Sequence, residues 1–420
     1  MINMKKSLFL AALVLMSTVC FAQKNPAVKK AKSLMNSETP DFAAARASIV
    51  EALEQEPTAE NYYWAGMIGY KEAERENNNL YMGLAKDIPT VGAAMEESIE
   101  YLVKADELAQ VPVLNKKGVE VPTDPKMRAK VAKMLQTYYK SDDLIRYGAQ
   151  LYEANDFAGA YKAFKAHLDI PTLAPMQDEK MQKEMPRDTT YENYKYNAAC
   201  FAYRADMHEE AAVLFDELKD SETEPLMVNQ FLCQEYMTLK DTVKFIEALH
   251  HAILRFPQED WFIQNLVSYS VQANKEQEAI DFFSQLIEKN PSEPLYYVKR
   301  GVLYEMLDRL DEAMADFDKV LSVNPNSADA MAGKGRVYYN KAVKLNEAAN
   351  AITDNNEYKK ALDEMNAVFR KSLPFFERAH ELKPDNTTYL QTLKMLYYRF
   401  RSEPEMQAKY DEVETKLNNL

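Results

Sequence analysis

Five histidines, three cysteines and a few adjacent carboxylates are the side chains of this 420-residue chain whose types could carry catalysis or hold a metal. A zinc site needs His and Cys at short fixed spacings, because one ion must draw its ligands from a turn or two of backbone. His167, His208, His250, His251 and His380 form no His-Glu-x-x-His arrangement, and no Cys/His cluster has metal spacing. Glycine-rich phosphate loops and a Gly-x-Ser-x-Gly elbow are absent. The pairs Glu209/Glu210 and Asp311/Glu312 open amphipathic stretches, where the helix dipole favours negative charge, so they read as structural. No catalytic residue, metal ligand or cofactor is assigned, and the expected chemistry is recognition. An enzyme with a site split over distant residues stays a minor alternative.

The elements that would position recognition residues repeat every 34 positions. Tyr297, Gly301 and Tyr304 make one helical stripe; Ala313, Phe317 and Val320 make a second, and Pro325 closes the unit. Shifting back by 34 puts Val267 under Gly301, Ala279 under Ala313, Phe283 under Phe317 and Pro291 under Pro325, and a further step reaches Pro257. A constant period with a prolyl stop describes stacked helix pairs. In such an array each unit contacts only its neighbours, so a chain this long needs no single core. Few glycines (10) and prolines placed between helices rather than inside them fit that reading.

At these residues the chain resembles the tetratricopeptide repeat. Its pattern W-x2-L-G-x2-Y…A-x3-F…P is met by Tyr297, Gly301, Tyr304, Ala313, Phe317 and Pro325, although most units lack the tryptophan. The resemblance implies an all-α, right-handed α-α superhelix of about nine helix pairs. It further implies a concave face lined by the first helix of each pair, which grips an extended peptide or a partner helix. The residues lying off the packing stripe of those helices are therefore the partner-binding candidates. In order they are Arg146, Tyr152, Asn193, Tyr196, Asn197, Tyr203, Arg204, Gln230, Trp261, Gln264, Asn265, Lys299, Arg336, Tyr339, Tyr398 and Arg399. Tyr and Trp anchors with Arg nearby are the composition of interface hot spots. Asn197, Asn265 and Arg336 echo parts of the two-carboxylate clamp of heat-shock co-chaperones, but the full set does not occur in consecutive units, so that function is not carried over.

The net charge of −14 opposes binding to nucleic acid or to an anionic membrane, which leaves a protein or peptide as the expected partner. Lys5 and Lys6 precede a short apolar run and then Cys20-Phe21-Ala22-Gln23, the form of a secretory signal peptide cleaved after Ala22. The run is too short for a permanent transmembrane helix. A lipid anchor on Cys20 is the alternative, but Val19 stands where lipoproteins place a small residue. The expected location is the periplasm of a Gram-negative cell, possible attachment to an outer-membrane assembly included. Cys200 and Cys233 are expected as buried free thiols, with a disulfide between them the other option.

The domain reading is 1–22 signal peptide, 23–125 helix pairs with inserted loops, 126–325 central array, and 326–420 C-terminal units with a capping helix. Within it, the second helix of the second unit is placed at 93–109, after a turn-rich stretch that reads as an inserted loop or a helix extension. The stretch through Val111–Val121 is read as a surface loop with room for a short hairpin, and the proline-bearing stretch after Ile170 as a surface excursion. Two functions are carried forward: an exported, non-catalytic scaffold that binds a peptide in its groove, and a glycan-binding outer-membrane protein similar to starch-binding lipoproteins that contain these repeats. The second needs a large non-repeat lobe, which this chain lacks.

Overall fold

The computed structural model describes residues 25–81 and 85–418. The segment read as a signal peptide, Cys20 included, lies outside them. The described residues form twenty α-helices and one two-stranded hairpin, so the fold is an all-α helical repeat. They divide into two compact units between Ala248 and Leu249.

The first unit opens with α1 (Pro26–Met35) and α2 (Phe42–Gln55). Each starts on an oxygen that satisfies an orphan N–H: Asn25 Oδ1 accepts from Ala27 N at 3.0 Å, and Asp41 Oδ1 from Ala44 N at 2.9 Å. The next pair is α3 (Ala59–Tyr81) with α4 (Ile88–Ala109). Sequence reasoning started α4 too late. Asp87 caps it through Thr90 N, and Pro89 in its first turn is already set at a helical φ, so the helix begins before the run of small residues. Of the two readings of the asparagine-rich stretch, an inserted loop or a helix extension, the second holds as far as Tyr81, where it lengthens α3. These two helices approach closely at their glycines: a Cβ on Gly69 would lie 2.3 Å from the Ala94 carbonyl oxygen, and Ser98 Oγ donates to Gly66 O at 2.7 Å.

The expected hairpin is present as β1 (Pro112–Leu114) paired antiparallel with β2 (Glu120–Pro122), Val113 facing Val121. There follow α5 (Met127–Ser141), α6 (Asp143–Glu153), α7 (Phe157–Asp169), α8 (Glu179–Lys183), α9 (Thr189–Arg204), α10 (His208–Leu218), α11 (Pro225–Thr238) and α12 (Thr242–Arg255), the last of which crosses the unit boundary. The segment after α7 is not a mere surface excursion. Ile170, Met176 and Met185 are buried in one cluster with Val131 and Leu135 of α5. Its irregular backbone is tied by Gln182 Nε2, which donates to the carbonyls of Pro171 at 2.7 Å and Met176 at 2.9 Å. Buried carbonyls outside a helix need such donors, and glutamine supplies them.

The second unit continues through α13 (Asp260–Gln272), α14 (Glu276–Lys289), α15 (Pro294–Met306), α16 (Leu310–Val323), α17 (Ala328–Ala349), α18 (Asn355–Leu382), α19 (Thr387–Arg399) and α20 (Pro404–Asn418). Taken along the chain, the described helices make nine pairs, with α5 and α8 outside them. One proline departs from the sequence reading: Pro374 sits inside α18. It lacks the N–H that would reach the carbonyl four residues back. The helix survives it because Phe369, Leu373, Phe376 and Ala379 are buried against the α17 and α19 side chains of one cluster.

The turn inside five of the pairs has one design. Asn155, Asp206, Lys240, Asn274 and Asp308 each hold a left-handed φ between 54° and 62°. The last four recur at intervals of 34. After each, a backbone N–H reaches five residues back, as Asp241 N does to Tyr236 O at 3.0 Å and Arg309 N to Tyr304 O at 2.8 Å. This is the bond that closes a helix end around a left-handed residue, and here it is made without glycine.

Among the described residues both cysteines are free, as expected, but only Cys233 is buried; Cys200, also expected to be buried, is half-exposed.

Candidate functional site

All sixteen predicted residues lie on the first helices of their pairs, namely α6, α9, α11, α13, α15, α17 and α19, and each is exposed or half-buried. In the first unit five of them converge. Tyr152 of α6 and Tyr196, Asn197, Tyr203 and Arg204 of α9 line a cavity of about 540 Å³. Sequence reasoning missed the rest of its wall, chiefly Phe164 of α7, Cys200 and Phe201 of α9, and Met227 and Phe231 of α11. Met227, left 43% exposed in the first turn of α11, was the one available signal: an apolar side chain off the packing stripe.

The wall is an aromatic lattice. The rings of Tyr152 and Phe201 are 5.0 Å apart, Phe164 and Phe201 meet edge to face at 5.1 Å, and Tyr203 lies 5.0 Å from Phe231. Such contacts fix ring positions before any ligand arrives. Arg204 closes one side: its Nη1 donates to the Tyr152 hydroxyl at 3.0 Å, and its guanidinium stands over the rings of Tyr152 and Phe157 at 5.4 and 5.3 Å. Gln234 Nε2 donates to the Tyr203 hydroxyl at 3.2 Å, and the Tyr196 hydroxyl points at Met227 Sδ, 3.9 Å away. Burial, then the neighbouring Cys200, pushes the Tyr196 phenol above its usual range, and burial raises the Cys200 thiol. Both groups are neutral near pH 7, so Arg204 is the one charged side chain among the residues lining the cavity, and Glu224 acts on Tyr196 and Cys200 from nearby.

The second unit gathers its candidates differently, into internal pairs. Lys299 Nζ lies 2.8 Å from Asp260 Oδ1, and Gln264 Nε2 donates to Asp260 Oδ2 at 3.0 Å. Asn265 Nδ2 donates to the Trp261 carbonyl at 2.8 Å, while the Trp261 ring remains 39% exposed. Arg336 Nε contacts both oxygens of Glu305 at 2.9 and 3.1 Å, and Asn340 adds a further donor to that carboxylate. Burial raises the Glu305 carboxyl while Arg336 works the other way. Arg399 stands 4.1 Å over the Phe369 ring and donates through Nε to Asn366 Oδ1 at 3.0 Å. Tyr339 packs edge to face on Phe369, and Tyr398 lies 5.7 Å from Tyr410. Of the three residues that echoed a carboxylate clamp, Asn265 and Arg336 are therefore committed to partners within the fold, and Asn197 makes no side-chain hydrogen bond among the described residues.

Among the described residues no group of three or more His, Cys, Asp or Glu side chains could hold a metal ion. Among them, too, no helix is long and apolar enough to cross a membrane.

The family model described as tetratricopeptide repeat matches residues 295–327, the α15–α16 pair. Tetratricopeptide repeat protein 16 of Macaca fascicularis is 28% identical over 145 residues, covering 30% of this chain and 17% of that protein. Its Homo sapiens counterpart is 27% identical over 144 residues, covering 30% and 16%. The chain thus spans about one sixth of the length of these curated relatives. Among solved structures, a TPR repeats protein from Bacteroides fragilis aligns over 61% of this chain and 98% of its own, at 17% identity and a TM-score of 0.36.

Proposed function

We propose that this chain, whose α15–α16 pair matches the tetratricopeptide-repeat model, is an exported, non-catalytic scaffold that holds a segment of a protein partner against its first helices, in a periplasmic or outer-membrane assembly. The observation that carries this reading is the preformed aromatic cavity between α6, α9 and α11, where five side chains picked out from the sequence come together. Rigid rings and an arginine at one mouth are the make-up of an interface hot spot. A cavity of about 540 Å³ is large enough for a bulky side chain and the backbone on either side of it. Lys5, Lys6 and the apolar run behind them support export. The acidic surface supports a protein partner over nucleic acid.

The test is site-specific photocrosslinking in the cells that express the protein. A photoreactive residue replacing Tyr196 is expected to capture one defined partner, and the same residue replacing Val213, exposed on α10, is expected to capture none. Equal capture at both positions, or none at Tyr196 while the protein is folded and abundant, would contradict the reading.

A further inference from the structure

Every residue from Val111 to Glu120 is exposed, in a stretch between α4 and α5 that belongs to no helix pair. Four of them are large and apolar: Leu114 is 71% exposed, Val119 55%, Val111 50% and Val113 43%. Apolar side chains scattered singly over a surface mean little, but a group of them in one short segment marks a contact. The hairpin they sit on is held by its turn and its base. Asn115 Oδ1 accepts from Lys117 N at 2.9 Å and from Val119 N at 3.1 Å, and Gly118 takes the left-handed φ of 72° that closes a three-residue turn. At the base, Thr123 Oγ1 donates to Val111 O at 2.8 Å. The shape is therefore fixed before anything binds.

Its register decides what kind of contact it can make. Thr123 N donates to Val111 O at 3.0 Å and Asn115 N to Val119 O at 2.9 Å, and Val113 stands opposite Val121. Positions 111, 113 and 115 thus turn their backbone groups across the ladder, and Pro112, Leu114, Glu120 and Pro122 turn theirs outward along the two edges. Proline has no N–H, so each edge offers a single donor and the addition of a further strand is blocked. Contact falls to the side chains. Alternation puts Val111, Val113, Val119 and Val121 on one face, completed by the uncharged Asn115 and Thr123, and Leu114 and Glu120 on the other. Lys116 and Lys117 stand at the tip, with Asp124 and Lys126 below the base.

We infer that the hairpin is a plug, inserted tip first into an apolar groove of a partner protein whose far end carries carboxylates for Lys116 and Lys117. Apolar side chains on both faces select a groove over a flat surface. A second copy of the chain laid face to face on the valines would leave Leu114 in water. A lipid surface is disfavoured because the lysines lead, and taking two ammonium groups into hydrocarbon opposes the gain from the valines. Charge complementarity selects the acid: ammonium–carboxylate contacts are stronger than those between neutral groups, and a turn already fixed loses little freedom in making them. The hairpin contributes nothing to the lining of the cavity between α6, α9 and α11, so the two contacts stand or fall separately.

The test uses the full chain in the cells that express it, with a photoreactive residue replacing Val113 or, separately, Leu114. Carbodiimide coupling, which joins an amine directly to a carboxylate, reads what Lys116 and Lys117 touch. Mass spectrometry of the linked peptides is expected to place both photocrosslinks on apolar residues of one partner, and the lysine amides on Asp or Glu beside them. Lys116→Glu combined with Lys117→Glu is expected to cut capture at Val113 roughly tenfold or more, through the reversed charge. Lys116→Arg combined with Lys117→Arg is expected to retain it. These side chains are exposed, so thermal melts should match the parent's and confirm that each variant is folded. Crosslinks to lipid, to a second copy of this chain, or to residues with no carboxylate beside them would overturn the inference. So would capture at Val113 without capture at Leu114, which describes a flat contact, or undiminished capture in the charge-reversed variant. Absence of capture by the folded, abundant protein would overturn it too, and would leave the crosslink at Tyr196 untouched.

Discussion

Gly301 and Phe317 face each other across the α15–α16 pair so closely that a Cβ on Gly301 would stand 2.9 Å from Phe317 Cε1. The same ring is also met by α17, where a Cβ on Gly333 would come within 2.5 Å of Cζ. Phe317 is fully buried between the two. One ring thus joins a first helix, its own second helix and the first helix of the next pair, which is how the 34-residue period becomes packing. Gly148 and Phe164 repeat the arrangement in the first unit, with a Cβ contact of 2.5 Å.

Gly301→Leu is therefore expected to destabilise the protein by about 1–3 kcal/mol through overpacking. Phe317→Ala is expected to cost about 3–5 kcal/mol through the cavity it leaves. Because both act on one contact, the double variant should fall short of the sum, and urea unfolding of the four proteins measures the difference. Additive losses would mean that the two residues do not share a seam.

The left-handed turns give a prediction of opposite sign. Lys240 holds φ 58°, a conformation that costs an ordinary side chain about 1–2 kcal/mol and costs glycine none. The flexibility of glycine in the unfolded chain offsets part of that. Lys240→Gly is expected to raise the urea midpoint, and Asn274→Gly, at an equivalent turn, to raise it less, since asparagine tolerates this region better. A lower midpoint in Lys240→Gly would contradict the turn geometry.

How much of this was legible in the sequence follows from what each feature is made of. The helix pairs were, because small and large apolar residues such as Gly301 and Phe317 recur in fixed order. The left-handed turns were not, because Asn, Asp and Lys occupy them instead of the glycine that would have flagged them. The segment after Ile170 was misread as surface because Ile170, Met176 and Met185 follow neither a helical nor a strand period, although all three are buried. Pro374 was unreadable for the opposite reason: the helix around it is held by tertiary packing that overrides a local breaker. At the site, residue types marked the first helices correctly. What they could not show was that Tyr152 and Arg204, 52 positions apart, are hydrogen-bonded across one cavity, or that Arg336 is already taken by Glu305.

Acid should weaken the first unit through His167. This side chain is 2% exposed, stacked on Tyr139 at 4.6 Å and set edge to face with Tyr194 at 5.6 Å, and its Nδ1 has no hydrogen-bond partner among the described residues. Burial lowers its pKa from 6.5 to about 4. The unfolded chain therefore binds the proton first as pH falls. The stability owed to neutral His167 is whole above pH 6.5 and is lost on the way down to pH 4, by about 3 kcal/mol at most. His167→Phe keeps the ring and removes the proton site. Its urea-derived stability should lose less than the parent's between pH 6.5 and 4, and parallel curves would contradict the assignment.

The two thiols should report on different things. Burial pushes Cys233 up to about 12, so it should react with a maleimide only after unfolding. Cys200 lines the cavity and is half-exposed, so it should label slowly in the native protein near pH 8. The partner captured at Tyr196 should slow it further. Labelling of Cys200 that is indifferent to that partner would mean that the partner sits elsewhere.

The most direct measurement is amide hydrogen exchange on the full chain with and without the partner captured at Tyr196. The account predicts that protection on binding centres on residues 143–153 and 189–204, with a further contribution from the start of α11 near Met227. Protection confined to the second helices, or to the second unit alone, would contradict it.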